Sequence, residues 1–302
     1  MKLKKLAIKG VASLVTLCLL TGCDFSDDDD CVYFGTLKAE LDWSHLKEEQ
    51  GEPAVNDMNI VYYPVTGKAV NSMTGMGERF EDNPLIRNLN IGKYKFLFFN
   101  KATNPVKGLE NVPEEGEIYS DLKTSAGKTF ITTKQQFVYS LLSDTEEIRT
   151  DDTTYVKCNG KILVQKLIFN FNLKGMAEIF KVDSISAILD GVTTSRHLYN
   201  QKKGIEYASL HFPAEKTKEE KRYTSSVLVF GINNTPDNKV NIIVDFEGGG
   251  RGEAEVDLND VLENFTADQK EIDIDVEILA NLTIRATIRN WVDKDWGAIV
   301  LQ

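Results

Sequence analysis

The sequence has few of the residues from which reactive sites are built, with 4 cysteines and 3 histidines among 302 residues. His45, His197 and His211 lie far apart, without the H-E-x-x-H spacing that places two zinc ligands on one helix face. No G-x-S-x-G nucleophile motif occurs. We therefore predict a protein that is not an enzyme and has no catalytic residue, metal site or cofactor. A hydrolase with two carboxylates across a cleft stays an alternative, since 46 acidic residues are present.

Positive charge is also scarce. The net charge is −11, and residues 1–22 contain Lys2, Lys4, Lys5 and Lys9 but no acid. Removing that segment gives −11 − 4 = −15 for the rest of the chain. A nucleic-acid partner requires a basic face, so we expect none. Electrostatic attraction to anionic lipids is excluded for the same reason.

The N-terminal apolar run, residues 11–20, is shorter than the about 20 residues that span a bilayer. It follows a lysine-rich start and ends in Leu20-Thr21-Gly22-Cys23. These three parts predict an export signal over residues 1–22. Leu20–Cys23 resembles the bacterial lipobox, which implies that Cys23 is lipidated and that its acyl chains anchor the protein in a membrane. The alternative is an ordinary secretory signal with a chance cysteine.

Residues 23–30 combine the lipidated cysteine with an acidic tether that contains Ser26, Asp27, Asp28, Asp29 and Asp30. Like charges at this density repel one another and stay solvated, so no packed structure is expected there. The segment resembles the acidic export signal of Bacteroidetes lipoproteins, which implies display on the outer face of the outer membrane. The alternative is a solvated spacer that faces the periplasm.

Only Cys31 and Cys158 remain after the signal and the lipidation site. An exported protein can join two such cysteines in a disulfide, but the sequence does not show whether their Cα atoms come close enough. Both the disulfide and two free thiols therefore stay open.

Almost every apolar segment alternates with a period of two, which is typical of half-buried β-strands. The alternating segments lie within 32–43, 58–64, 92–98, 163–173, 240–246 and 272–278. Many strands separated by turn signals predict an all-β fold of two tandem β-sandwich domains. The polar stretch Ser143–Thr154 suggests a boundary, giving domains over 31–157 and 158–302.

Helical signals are sparse. Residues 174–180 allow two helical turns, and 258–265 predict a short helix that Asn259 caps. Gly248–Gly252 follows a strand and precedes further alternation, so we predict a hairpin turn and not a phosphate-binding loop.

Exposed aromatic side chains are candidates for glycan binding by stacking. Trp291 and Trp296 lie close together near the C-terminus, and Tyr62 and Tyr63 are adjacent, so one of these tyrosines must face away from the core of its sheet. The alternative is that all four are core and edge residues of the sandwiches.

Several segments carry a further pattern of apolar residues and glycines. They are Leu41–Trp43 with Asn56–Pro64, Leu89–Asn100, Lys166–Gly175, Ala187–Val192 and Val227–Gly231. Together they resemble the FimB-like fimbrillin-associated anchor proteins of Bacteroidales. The resemblance implies two transthyretin-like β-sandwich domains and a role in anchoring or capping a fimbrium. It also implies partner fimbrillin subunits that join by strand addition. It carries over no catalytic residue, and only Cys23 keeps its family role. A glycan-binding lipoprotein of a polysaccharide-uptake system is the alternative function.

Overall fold

The computed structural model describes residues 33–42, 58–65, 71–74, 78–80, 83–100, 104–109, 115–233 and 238–295. Strands dominate this part of the chain, and its helices are single short turns. The all-β prediction is therefore confirmed. None of the helices in these ranges has the length and apolar character needed to cross a membrane.

The first sheet has nine strands. They are β1 (Phe34–Asp42), β2 (Met58–Pro64), β3 (Asn71–Thr74), β4 (Glu78–Phe80), β5 (Asn83–Asn90), β6 (Gly92–Asn100), β11 (Tyr139–Leu142), β12 (Glu146–Ile148) and β13 (Thr153–Ile162). Their order is β3-β2-β6-β11-β13-β1-β5-β4, and β12 pairs with the start of β6. The predicted alternation places Leu37, Ala39 and Leu41 of β1 in one core with Phe96 and Phe98 of β6.

The second sheet has ten strands. They are β9 (Leu122–Ser125), β10 (Lys128–Ile131), β14 (Gln165–Gly175), β15 (Val182–Thr193), β17 (Tyr207–Lys216), β18 (Arg222–Val229), β19 (Lys239–Phe246), β20 (Arg251–Asp257), β21 (Gln269–Ile278) and β22 (Ile284–Lys294). The main path is β20-β19-β15-β17-β18-β14-β21-β22, and the β9–β10 hairpin joins the edge of β17. A third sheet of three short strands, β7 (Val106–Lys107), β8 (Glu117–Tyr119) and β16 (Ser195–His197), connects the two halves of the chain.

The second sheet curls until its two end strands approach each other. A Cβ added to Gly252 of β20 would lie 2.8 Å from the carbonyl oxygen of Leu282, just before β22, so only glycine fits there. The curled sheet encloses one apolar core, to which β14, β19 and β21 contribute alternate side chains. The predicted hairpin turn at Gly248–Gly250 connects β19 and β20, and all three glycines have positive φ.

The chain enters the second sheet first with the β9–β10 hairpin, returns to the first sheet for β11–β13, and passes to the second sheet for the last time between Ile162 and Gln165. The polar stretch Ser143–Thr154 is part of the first sheet, because β12 and the start of β13 lie within it. The predicted boundary between residues 157 and 158 falls inside β13, and the division into domains stays a prediction.

The two predicted helices are shorter than the sequence suggests. Residues 174–175 continue β14, and a single 3₁₀ turn follows at Met176–Glu178. The other helix covers Asn259–Leu262, and its N-cap position is Leu258. The prediction that Asn259 caps it was wrong, since its Oδ1 instead accepts a hydrogen bond from the Asn238 amide at 3.0 Å.

Candidate functional site

The second sheet splits where β17 and β18 separate. These strands pair at only two positions, Glu215 with Thr224 and Lys216 with Tyr223. Beyond them β18 continues along β14 as far as Val229, whereas β17 follows β15. The rest of the inner edge of β18 therefore has no strand beside it in the described part of the chain.

A cavity of about 640 Å³ fills this split, and we call it the split-sheet groove. One wall is residues 224–228 of β18, and the other is residues 210–213 of β17. The segment 131–135, which continues from β10, closes one end.

The β18 wall of the groove is uncharged. Beyond Thr224, which still pairs with β17, it consists of Ser225, Ser226, Val227 and Leu228, of which Ser226 is exposed. An edge strand presents unpaired backbone N–H and C=O groups, which can pair with another extended chain. These four residues span about 13 Å at the usual rise of a strand. The groove is thus short and sheltered, and its β18 wall leaves backbone groups open to pairing.

The β9–β10 hairpin restricts the groove from one side. Phe130 and Ile131 pair in parallel with Ser209 and Leu210 of β17, and the Ile131 side chain enters the core of the second sheet. Lys128 forms an ion pair of 2.8 Å with Asp190. A second cavity of about 740 Å³ shares Ile131 as a lining residue, so β10 separates two cavities.

β22 is one of the two end strands of the second sheet, and its edge differs from that of β18 in charge. Arg285, Arg289, Asp293 and Lys294 are exposed along it, which is a common protection of edge strands against association. Residues 290–294 already pair with β21, so this part of the C-terminal segment is engaged as a strand of its own sheet. Trp291 is 46% exposed there. Trp296 lies outside the described residues.

Tyr62 and Tyr63 are both buried, on opposite faces of β2. Tyr62 faces the core of the first sheet, and Tyr63 faces away from that core, as predicted. Tyr63 does not reach solvent, because it packs in a second cluster with Leu198 and Phe230 from the other half of the chain. The two tyrosines are therefore not available as a glycan platform.

Cys158 is a buried free thiol on β13. Burial, with smaller contributions from the carboxylates of Glu146 and Asp144, raises the pKa of this thiol to about 12. Such a group is inert as a nucleophile at neutral pH. Cys31, the other half of the open disulfide question, lies outside the described residues.

The two histidines that the structure describes do not assemble a reactive site. His211 lies on β17 as predicted, whereas His197, expected in a loop, ends β16. His197 Nε2 lies 3.9 Å from Glu117 Oε1, and Ser195 Oγ donates to that same oxygen at 2.5 Å. The Tyr119 hydroxyl donates a hydrogen bond to Glu117 Oε2, and this bond raises the pKa of Tyr119 to about 12. Ser195 is thus directed at a carboxylate and not at the histidine.

These contacts join β8 to β16 and hold the third sheet together. Within the described ranges, no group of three or more His, Cys, Asp or Glu residues is arranged to hold a metal ion. His45 and the predicted lipidation and export residues, Cys23 and Ser26–Asp30, lie outside these ranges.

No protein-family model matches the chain, and no curated protein matches it either. Solved structures do match its fold. A proposed adhesin from Bacteroides ovatus ATCC 8483 superposes with a TM-score of 0.56 at 16% identity, over 89% of this chain and 98% of that chain. The fimbrial anchor protein Mfa2 from Porphyromonas gingivalis superposes with a TM-score of 0.50 at 12% identity, over 87% and 99%.

A proposed polysaccharide-binding protein from Bacteroides thetaiotaomicron VPI-5482 has a TM-score of 0.50 at 13% identity, over 89% and 99%. The chain therefore shares its fold, over 87–89% of its length, with these three proteins.

Proposed function

We propose that this protein is a non-enzymatic lipoprotein of the outer membrane, related to the FimB-like anchor family, that tethers or caps a fimbrium and contributes to adhesion. The observation that carries the proposal is the fold shared with a fimbrial anchor over 99% of that anchor's chain. The sequence supports the membrane end, since Leu20–Cys23 resembles a lipobox and Ser26–Asp30 resembles a surface-export signal.

The split-sheet groove supports the second part of the proposal, the attachment of a fimbrial subunit. A subunit that joins by strand addition needs an acceptor edge that is unpaired, uncharged and backed by a rigid sheet. The edge of β18 at residues 225–228 meets these conditions, and β14 pairs with the whole of β18 at eight positions. Backbone hydrogen bonds to an incoming strand supply affinity, and the cavity beside Val227 and Leu228 receives its side chains.

A photo-crosslinking residue at Ser226 tests this proposal on native cells. The benzophenone amino acid at an exposed serine of the groove is expected to trap one fimbrial subunit, identified by mass spectrometry. Thr287, an exposed hydroxyl residue on the charged edge β22, is the matched control and should trap no such product. Equal products at both positions, or no fimbrial subunit at Ser226, contradict strand addition in this groove.

Mass spectrometry of the mature protein tests the lipid end separately. An N-terminal Cys23 that carries a diacylglycerol and an amide-linked acyl chain is expected. An unmodified thiol at Cys23 contradicts the lipoprotein proposal, whatever the groove binds.

Glycan binding is the second candidate function. Two observations favour it: the fold shared with a proposed polysaccharide-binding protein, and the exposed indole of Trp291. A flat aromatic ring stacks on a sugar face, so Trp291→Ala is expected to abolish signals on a glycan array. An array without signals, or signals that Trp291→Ala leaves unchanged, contradict this candidate.

A further inference from the structure

Four large apolar side chains are exposed at one end of the first sheet. Tyr33 is 46% exposed, Phe34 44%, Val65 49% and Ile91 45%. Single exposed apolar residues are normal on a protein surface, but a contiguous group of them marks an interaction site. We call these four residues the apolar rim.

Backbone contacts bring the rim residues together from three separate segments. The Ile91 amide donates to the Tyr33 carbonyl at 3.1 Å, and Phe34 pairs with Asn90 at the end of β5. The Val65 amide, just after β2, donates to the Lys93 carbonyl at 2.8 Å. The rim therefore surrounds the β5–β6 turn and the entrance of the chain into β1.

The charges around the rim are mixed. Lys93 is exposed beside it, and Arg149 is paired with Glu147 at 3.0 Å. Asp151 and Asp152 are exposed in the β12–β13 turn, where the Asp151 amide donates to the Phe34 carbonyl. The described residues around the rim thus show no excess of one sign.

The position of the predicted lipid indicates what the rim faces. Residues 24–32 separate Cys23 from Tyr33, so even a fully extended chain holds Tyr33 within about 35 Å of the anchored cysteine. The opposite end of the first sheet leads to the second sheet. β13 starts beside the rim, where Thr153 pairs with Thr36, and runs about 33 Å to Ile162, where the chain leaves.

We propose that the apolar rim rests on the lipid surface that holds the acyl chains of Cys23, and that this contact orients the first sheet on the membrane. The inference rests on the proposed lipidation of Cys23. Aromatic and aliphatic side chains are favourable at the membrane interface. The tether supplies a high effective concentration of membrane at the rim, so a patch too small to bind alone becomes occupied.

This contact directs the end of β13 that leads to the second sheet away from the lipid. The split-sheet groove, which lies in the second sheet, is then left for a partner.

Photo-crosslinking to lipid tests the contact on the mature chain beginning at Cys23. Cys31→Ser leaves Cys23 as the reactive thiol, because the Cys158 thiol is buried. A maleimide phospholipid couples Cys23 to phosphatidylcholine vesicles. A benzophenone residue replaces Ile91 in one sample and Ile179, an exposed isoleucine of the second half, in the matched control.

Cross-linking to phosphatidylcholine is expected to be at least fivefold greater from position 91 than from position 179. Replacing Tyr33 and Phe34 by serine should reduce the yield at position 91 severalfold, while circular dichroism stays unchanged. Equal yields at the two positions, or a yield at position 91 that the serine variant keeps, overturn the proposal. Since the lipid is attached chemically, this result is independent of whether cells acylate Cys23.

Discussion

The strands β6 and β21 show how differently the two sheets are packed. In β21 every second residue from Lys270 onward is buried, so one face meets the core and the other is partly exposed. In β6 the last five residues, Phe96–Asn100, are all buried. The reason is a second apolar layer, in which Val61, Tyr63, Leu97 and Phe99 pack against Val164, Leu198 and Phe230 of the other half. We call this layer the junction cluster.

This difference shows that the second half packs against the first half and is not joined to it by a flexible linker alone. The junction cluster and the third sheet fix it to the outer face of β2 and β6. In the proposed anchor, tension on a strand held in the split-sheet groove would pass through packed side chains to the first sheet, and from there to the tether. The comparison can be tested on two adjacent residues of β6, Phe98 and Phe99, which face opposite layers.

Phe98→Ala should have the largest effect. Phe98 is fully buried in the core of the first sheet, with its ring centroid 6.5 Å from that of Phe96. Truncation of a buried phenylalanine costs about 3–5 kcal/mol of unfolding free energy. Urea unfolding should show this loss in signals from the first sheet. A loss below about 1 kcal/mol would contradict the assignment of Phe98 to that core.

Phe99→Ala should cost less, about 3 kcal/mol, but should change how the protein unfolds. Phe99 contributes to the junction cluster, so its loss weakens the coupling between the two halves more than either core. Calorimetry is expected to resolve two unfolding transitions for Phe99→Ala, one for each half. In the parent these two transitions should overlap more closely. A single transition in Phe99→Ala, coincident for both halves, would show that the junction cluster does not carry the coupling.

The sequence predicts the second sheet well, because its strands follow a simple rule. In β19 and β21 the alternation of apolar and polar residues reports directly which side chains face the core. The rule is incomplete for β2 and β6, where the residue beside Tyr62 is as buried as Tyr62 itself. Period-two patterns describe one buried face, and a second buried face depends on which distant segments pack there.

The two candidate sites also differ in how far the sequence predicts them. Cys23 is predicted from four consecutive residues, since a lipobox is a local signal. The split-sheet groove depends on non-local pairing: β10 joins β17 across 79 residues at Phe130 and Ser209, and β14 pairs in parallel with β21. Within β18, the adjacent serines Ser225 and Ser226 interrupt the apolar pattern. That break is the one local sign of the groove, but it does not reveal an open edge.

Replacement of Cys158 should give the smallest of the three effects, a change in how the stability of the first sheet depends on pH. This thiol lies in the core of the first sheet, and residues 165–295 contain no cysteine. Its pKa is raised by burial from 9.0 to about 12 in the folded protein. The unfolded chain therefore releases this proton first, so the stabilising contribution is complete below pH 9 and is lost as the pH rises towards 12.

The loss of unfolding free energy should approach about 1.4 kcal/mol per pH unit above pH 9, or roughly 1–2 kcal/mol by pH 10 to 10.5.

The Cys158→Ala variant is expected to be less stable than the parent at pH 8, because of the cavity that the substitution leaves. It should lose less unfolding free energy than the parent between pH 8 and pH 10. Urea unfolding at pH 8, 9 and 10 measures both slopes, with Cys31→Ser as the control that should keep the parent slope. Burial raises the pKa of Tyr139, and the hydrogen bond to Glu117 raises that of Tyr119, from 10.0 to about 12, so both add losses chiefly above pH 10. Both tyrosines are present in the parent and in the variant, so the difference between the two slopes from pH 9 to 10 isolates the thiol. A Cys158→Ala variant that keeps the full parent slope in that window would contradict the buried thiol as its source.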